Sequence, residues 1–465
     1  MVIPVLCTVS FSWPLLIHDL DKSFAVEIQR LINPTLKKWA GIGPTVDNGV
    51  LFRANKNFGL GLTCFSDHYE KMQLIKCELL KNSIDESVRK IYKAREEINS
   101  KFTRVWRASN IAKIASAEVE LDLKFPTQST QQGLGFGNFN PHPSISEKQK
   151  LVSSKASSFR EHSRIIHSST LSRQGIWLLW SESALPFDLS WKNLIWGNVS
   201  ATLIKFVLLA SVNWLATPDL LKLWGFSKDS VCPLCNAEKC TIHHVLCHCN
   251  FSLQNKRYNW RHDSVLSLIA SVLSAHIAEI NNSVPKENSQ QISFIKANER
   301  QGSSHKKSQQ PSLLDKANDW TILIDLPGAN YVFPSDIYCT GERPDIVIWS
   351  PSKKKSIIVE LTCPAEEGIE NAKIRKETKY FPLISEIKRQ KKYTVDFMTI
   401  EVGVRGFIAT SLKKCFAALG LPKQKTVRVC KKLSFISACC SHTIFLAATS
   451  KFWDENKPLF EANLE

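Results

Sequence analysis

Five of the chain's fourteen cysteines fall between Cys232 and Cys249, and His243, His244 and His248 stand among them. No other feature constrains the fold as tightly. Cysteines spread through a short secreted chain read as a disulfide framework. Soft donors crowded at ligand spacing in 465 residues read instead as a metal site in a reducing compartment. Cys232-Pro-Leu-Cys235 lets two thiolates of one turn reach the same ion, and His244 and Cys249 can close a tetrahedron from the start of a helix, giving C-x2-C-x8-H-x4-C. Four soft ligands suit structural zinc and leave no open position for catalysis. His243, Cys247 and His248 are alternative third and fourth partners. Trp260-Arg261-His262-Asp263, just beyond, either stacks on and pairs with a nucleic-acid strand or opens an amphipathic helix that packs on the cluster.

The formal charge is +17, an excess that opposes compaction and is normally tolerated for a polyanionic partner. Nucleic acid is therefore the expected partner. A membrane is not: no uninterrupted apolar stretch of about 18 residues is found. The apolar segment from Met1 to Ile17 has no basic leader region and contains Pro4 and Trp13-Pro14, which argues against a signal peptide.

Along the chain, apolar periodicity predicts helices over Phe24 to Trp39 and His68 to Trp106, with a loop at Asn57 to Leu62. Glycines and prolines predict a loop-rich stretch from Pro126 to about Ser158. Helical periodicity resumes over Leu194 to Trp224, and Pro218 divides it in two. Asn281 to Ser312, rich in Asn, Ser, Gln and Lys, reads as a linker. Beyond it, strand-like runs at Thr321 to Leu326, Asp345 to Trp349, Ser356 to Leu361 and Tyr393 to Val404, with a helix from Pro364, predict an α/β domain whose sheet is covered on both faces.

Two of those runs carry chemistry. If Trp349 pairs with Ser356 in an antiparallel hairpin, Asp345 falls directly opposite Glu360, since both pairs sum to the same index. Two carboxylates closing on one face favour a cation between them, and Mg²⁺ with substrate phosphate completing its shell suits the oxygen donors. The competing reading is a pair of solvated strand-end acids. On the next helix Ile369, Ala372, Lys376 and Tyr380 share one stripe, so the Lys376 ammonium can reach back to the acids, orient water and stabilise phosphate charge. Against this stands a Lys376 that snorkels to solvent beside a core Tyr380. Lys379 is the second choice. Pro382 is expected to break or restart the helix after Phe381. Further on, Glu401 to Phe407 closes another strand and brings Arg405 near a phosphate.

Taken in order, these motifs resemble the C-terminal region of non-LTR retrotransposon proteins that carry a restriction-enzyme-like endonuclease. Ser12-Trp13-Pro14 and Asn57 to His68 look like the thumb and helical linker, Cys232 to Cys249 like the zinc knuckle, and Arg343-Pro344-Asp345, Glu360-Leu361-Thr362-Cys363-Pro364, Arg375-Lys376 and Lys379-Tyr380 like the nuclease. In the wider PD-(D/E)-x-K group the lysine sits two residues after the second acid, where this chain has Thr362; the family resembled moves it onto the following helix. The resemblance implies a multidomain α and α/β chain. It would comprise a helical thumb/linker-like region at 1–125, a loop-rich then helical linker at 126–225, and a zinc knuckle with its helix at 226–280. A polar linker at 281–312, a restriction-endonuclease-like domain with a central mixed sheet at 313–425 and a C-terminal helical tail at 426–465 would follow.

The same resemblance implies structural zinc on Cys232, Cys235, His244 and Cys249, catalytic Mg²⁺ on Asp345 and Glu360, and nucleic-acid contacts from Arg261, His262, Arg343 and Arg405. Its partners would be DNA and RNA, its compartment the nucleus ahead of the cytoplasm. No Tyr/Phe-x-Asp-Asp tetrapeptide of a polymerase palm occurs, so a reverse transcriptase would have to be supplied elsewhere. The implied function is a Mg²⁺-dependent endonuclease that nicks target DNA to prime reverse transcription. The alternative is a non-catalytic, nucleic-acid-binding remnant of a retroelement protein.

Overall fold

The computed structural model describes residues 12–97, 145–180, 187–283 and 312–454, apart from 19, 82, 198, 315, 316 and 330. Most of the polar linker expected at 281–312, the glycine-rich part of the loop after Pro126 and the start of the apolar N-terminal segment lie outside those residues. The chain divides into two units, Met1–Gly175 and Ile176–Glu465.

The first unit is helical. Helices α1 (Lys22–Trp39) and α3 (Ile145–Ser169) both pack on α2 (Phe65–Lys81), around Leu15, Ala25, Tyr69, Leu74, Val152 and Ala156, all nearly excluded from solvent. Helix α3 begins inside the stretch expected to be loop. It is rich in serine and charge, and only Val152 and Ala156 join that core, too few to mark a period. The loop between α1 and α2 is pinned to α3 by Arg53, whose guanidinium donates to Ser168 Oγ at 2.7 Å and Asp47 Oδ2 at 3.2 Å. Burial lowers its pKa to about 10, against the pull of Asp47.

The second unit is built on a four-stranded mixed sheet in the order β1 (Thr321–Ile324), β2 (Ile346–Ser350), β3 (Lys355–Thr362), β4 (Thr394–Glu401). The first three strands are antiparallel neighbours, and β4 runs parallel to β3. Trp349 pairs with Ser356 and Ile346 with Val359, the register expected from the spacing. The triplets Ile346-Val347-Ile348 and Ile357-Ile358-Val359 are all 0% exposed. Such unbroken apolar runs need cover on both sides. Ile346, Ile348, Ile357 and Val359 pack on one face with α6 (Arg257–Asn281), α8 (Thr410–Ala418) and α9 (Lys423–Leu446). Val347 and Ile358 pack on the other with α7 (Ile369–Gln390). Each fully buried side chain contributes about 1.5–3 kcal/mol of transfer free energy.

Helices α6 and α9 are long and apolar enough to cross a membrane, and their buried Val265, Leu266, Ile269, Val429 and Leu433 belong to the core against the sheet. Helix α9 covers most of the region expected to be a tail. Upstream lie α4 (Phe187–Trp196) and α5 (Ala201–Ser211), followed by a short helix with Pro218 at its first turn.

Two expectations about α7 need correction. Pro364 does not start it: a 3-10 turn at Glu366–Gly368 intervenes and the α-helix opens at Ile369. Pro382 does not break it either. Tyr380 on one side of the proline and Leu383, Ile384 and Ile387 on the other are all anchored to the same sheet face, which holds the two halves in line despite the missing donor.

Candidate functional sites: a metal cluster and a carboxylate hairpin

The metal cluster is shaped by a tight turn and a widened helical one. Asn236, in the left-handed region at φ 59°, donates its N–H to Cys232 O, and Cys232 N–H donates to Ala237 O, which folds Cys232 and Cys235 onto one side. His244–His248 form a π-helical turn, so His244 and the next residue past it, Cys249, look back at the two cysteines. The Cys249 N–H donates to Tyr258 Oη at 3.0 Å, and the Tyr258 hydroxyl donates to Val245 O at 2.9 Å, tying the turn to the start of α6. Cys232 Sγ lies 3.9 Å from Cys249 Sγ, Cys235 Sγ lies 3.3 Å from His244 Nε2, and all four ligand atoms fall within 4.8 Å of one another. Sulfur and nitrogen donors around a tetrahedral zinc stand roughly 3.6–3.8 Å apart, so the cluster fits that ion. Cys240 is buried but stands outside this set, and burial pushes its thiol pKa up.

Residues 174–255 match the family described as zinc-binding in reverse transcriptase. A comparison with curated proteins gives no match. The chain thus carries a zinc-binding domain of the reverse-transcriptase-related kind, with its cysteine and histidine ligands assembled, and this points to a retroelement-derived protein.

The second site lies on the α7 face of the sheet. Asp345 stands one residue before β2 and Glu360 near the end of β3, in the register that opposes them. They bridge each other's strand: Asp345 N–H donates to Glu360 Oε2 at 3.1 Å, and Leu361 N–H donates to Asp345 Oδ2 at 2.7 Å. At 9% and 1% exposure neither is a solvated strand-end acid. Burial, and then the Asp345 charge, push the Glu360 pKa up, while Lys376 holds it down.

Lys376, half-buried on α7, donates its ammonium to Glu360 Oε1 and does not snorkel away. Tyr380, fully buried, donates its hydroxyl to Arg343 O at 3.2 Å, and burial raises its pKa. Lys379 is about half exposed and reaches Tyr380 Oη at 3.1 Å and Glu342 at 3.4 Å, not the acids. Thr362, where the wider group places lysine, is buried with its hydroxyl unpartnered.

Of the four residues expected on nucleic acid, two are turned inward. Arg261 is 2% exposed and donates to Leu246 O at 3.0 Å and Ser441 Oγ at 3.1 Å, so the start of α6 packs on the metal turn and on α9. Arg405, 1% exposed, is held by Glu366 Oε2 at 2.7 Å and Glu367 Oε2 at 2.9 Å and by Ala210 O at 3.0 Å. A buried guanidinium must be paired, and these carboxylates pair it in place of a phosphate. A Cβ at Gly403 would sit 2.2 Å from Glu366 Oε1, so only glycine lets that carboxylate approach.

Arg343 is exposed but bonded to Asp325. His262 meets the acid site itself: its Nε2 lies 3.5 Å from Asp345 Oδ2 and its Nδ1 3.0 Å from Asp263 Oδ1. Burial opposes its charge, but the bonds to Asp263 and Asp345 outweigh it and raise its pKa to about 10. Sequence reasoning placed His262 on nucleic acid and missed this contact. Eighty-three residues separate it from Asp345, and no spacing rule spans that gap.

Proposed function

We propose that the chain is a retroelement-derived, Mg²⁺-dependent DNA endonuclease that nicks one strand of a duplex and leaves a 3′ hydroxyl for a reverse transcriptase carried elsewhere to extend. The observation that carries this reading is the convergence of Asp345, Glu360 and Lys376 on one face of the sheet. Paired carboxylate oxygens are hard donors; burial first, and the Asp345 charge second, push the Glu360 pKa up, and a divalent cation between the two acids would offset both costs. Asp345 and Glu360 are the residues that would hold the ion. Mg²⁺ there would supply a Lewis acid for a phosphate oxygen.

Lys376 orients the attacking water and offsets charge building on the phosphate. Tyr380 fixes the Arg343 carbonyl and with it the approach to Asp345. The excess of basic residues grips phosphates without reading sequence, and so with strong salt dependence. Element RNA is the second polyanion such a zinc domain would meet, and the nucleus is where its target DNA lies.

The test is supercoiled plasmid incubated with the purified chain and Mg²⁺. Wild type is expected to yield open circles, and Asp345→Ala to lower the rate by about 10²-fold or more. Equal nicking by wild type and Asp345→Ala, or none by either, removes the proposal.

A further inference from the structure

The π-helical turn carries more ligands than the zinc cluster uses. His243, Cys247 and His248 each offer one ligand atom, and these three atoms lie within 4.8 Å of one another, apart from the cluster of Cys232, Cys235, His244 and Cys249. In an α-helix the residue five positions along sits about 140° away. Widening the turn to the i→i+5 pattern brings it back over the first. His244 and Cys249 use that spacing toward one side. His243 and His248, shifted back by one residue, use it toward another, with ring centroids 4.4 Å apart and Cys247 between them in sequence. Among the described residues none of these three side chains has a hydrogen bond or an ion pair, so the grouping serves no other visible contact.

We propose that His243, Cys247 and His248 form a second zinc site, set back to back with the four-ligand cluster on a single turn. Two imidazoles and one thiolate make a borderline-soft set that suits zinc and disfavours Mg²⁺ or Ca²⁺. Three protein ligands leave a fourth position for water or for a donor from a bound partner, whereas the first cluster is closed. His248 is exposed and Cys247 is half-buried, so the open position can be reached from solvent.

The test counts metal on the full chain and does not depend on nuclease activity. The protein is equilibrated with excess Zn²⁺, freed of unbound ion by gel filtration and assayed by mass spectrometry of the metal. Wild type should retain two equivalents and His243→Gln/His248→Gln one. The equivalent kept by the variant shows that its first cluster is folded. A wild type with one equivalent, or a double variant that keeps two, overturns the proposal. Should the double variant lose both, Cys247→Ser decides, since it leaves both imidazoles in the turn: one equivalent supports the second site and two refutes it.

Discussion

The zinc cluster takes all four ligands from the segment between Cys232 and Cys249, whereas the carboxylate site takes its groups from α6, β2, β3 and α7, from His262 to Tyr380. The first is a short loop and a single helical turn whose four ligand atoms all come from eighteen consecutive residues, so an ion bound there helps set its shape. The second is held by a sheet buried on both faces and by backbone N–H groups and an ammonium aimed at its acids, so its shape precedes any ion.

That contrast breaks most visibly on chelation. A structural zinc contributes about 10–16 kcal/mol to the segment that binds it. Stripping zinc should therefore abolish amide-exchange protection across residues 232–249 while β2 and β3 stay protected. Equal loss in both regions would mean that the acid site, too, is metal-dependent.

A smaller effect should come from Arg405→Met. It leaves Glu366 buried and unpaired at a cost of about 3–5 kcal/mol, read as a lower denaturant midpoint for the second unit. An unchanged midpoint would mean that Glu366 protonates or finds another partner at little cost, and that the sheet region tolerates unpaired charge better than the contrast requires.

The smallest concerns Lys379. Its exposed pair with Glu342 predicts that Lys379→Ala changes stability by less than about 0.5 kcal/mol in the same denaturation experiment. A loss several times larger would show that the periphery of the acid site carries structure the core does not.

The hairpin register was legible because side chains alternate with a fixed period of two, and Trp349 with Ser356 fixes every other pair. The inward stripe on α7 was legible for a similar reason: Ile369, Ala372 and Tyr380 are buried and Lys376 sits among them on Glu360. For Arg261 the sequence left open a helix start packed on the cluster, which is what it does, whereas Arg405 was placed on a phosphate because charge alone argues for solvent or phosphate. Their partners, Ser441 for one and Glu366 with Ala210 for the other, lie tens to hundreds of residues away. Helix α3 was hidden by its serine-rich sequence. Pro382 shows the converse, a strong local breaker overruled by packing on both sides.

The connection between β3 and α7 runs only from Cys363 to Gly368, and together with the packing of Tyr380, Leu383, Ile384 and Ile387 on the sheet it sets the rotation of the helix that carries Lys376. Adding or deleting one residue there would turn α7 by about 100° and swing the ammonium off Glu360. The turn between β2 and β3 can change length with far less harm, since strand pairing resets it. Relatives of this sequence that keep the chemistry should thus conserve the length of one short connector more strictly than the residues in it.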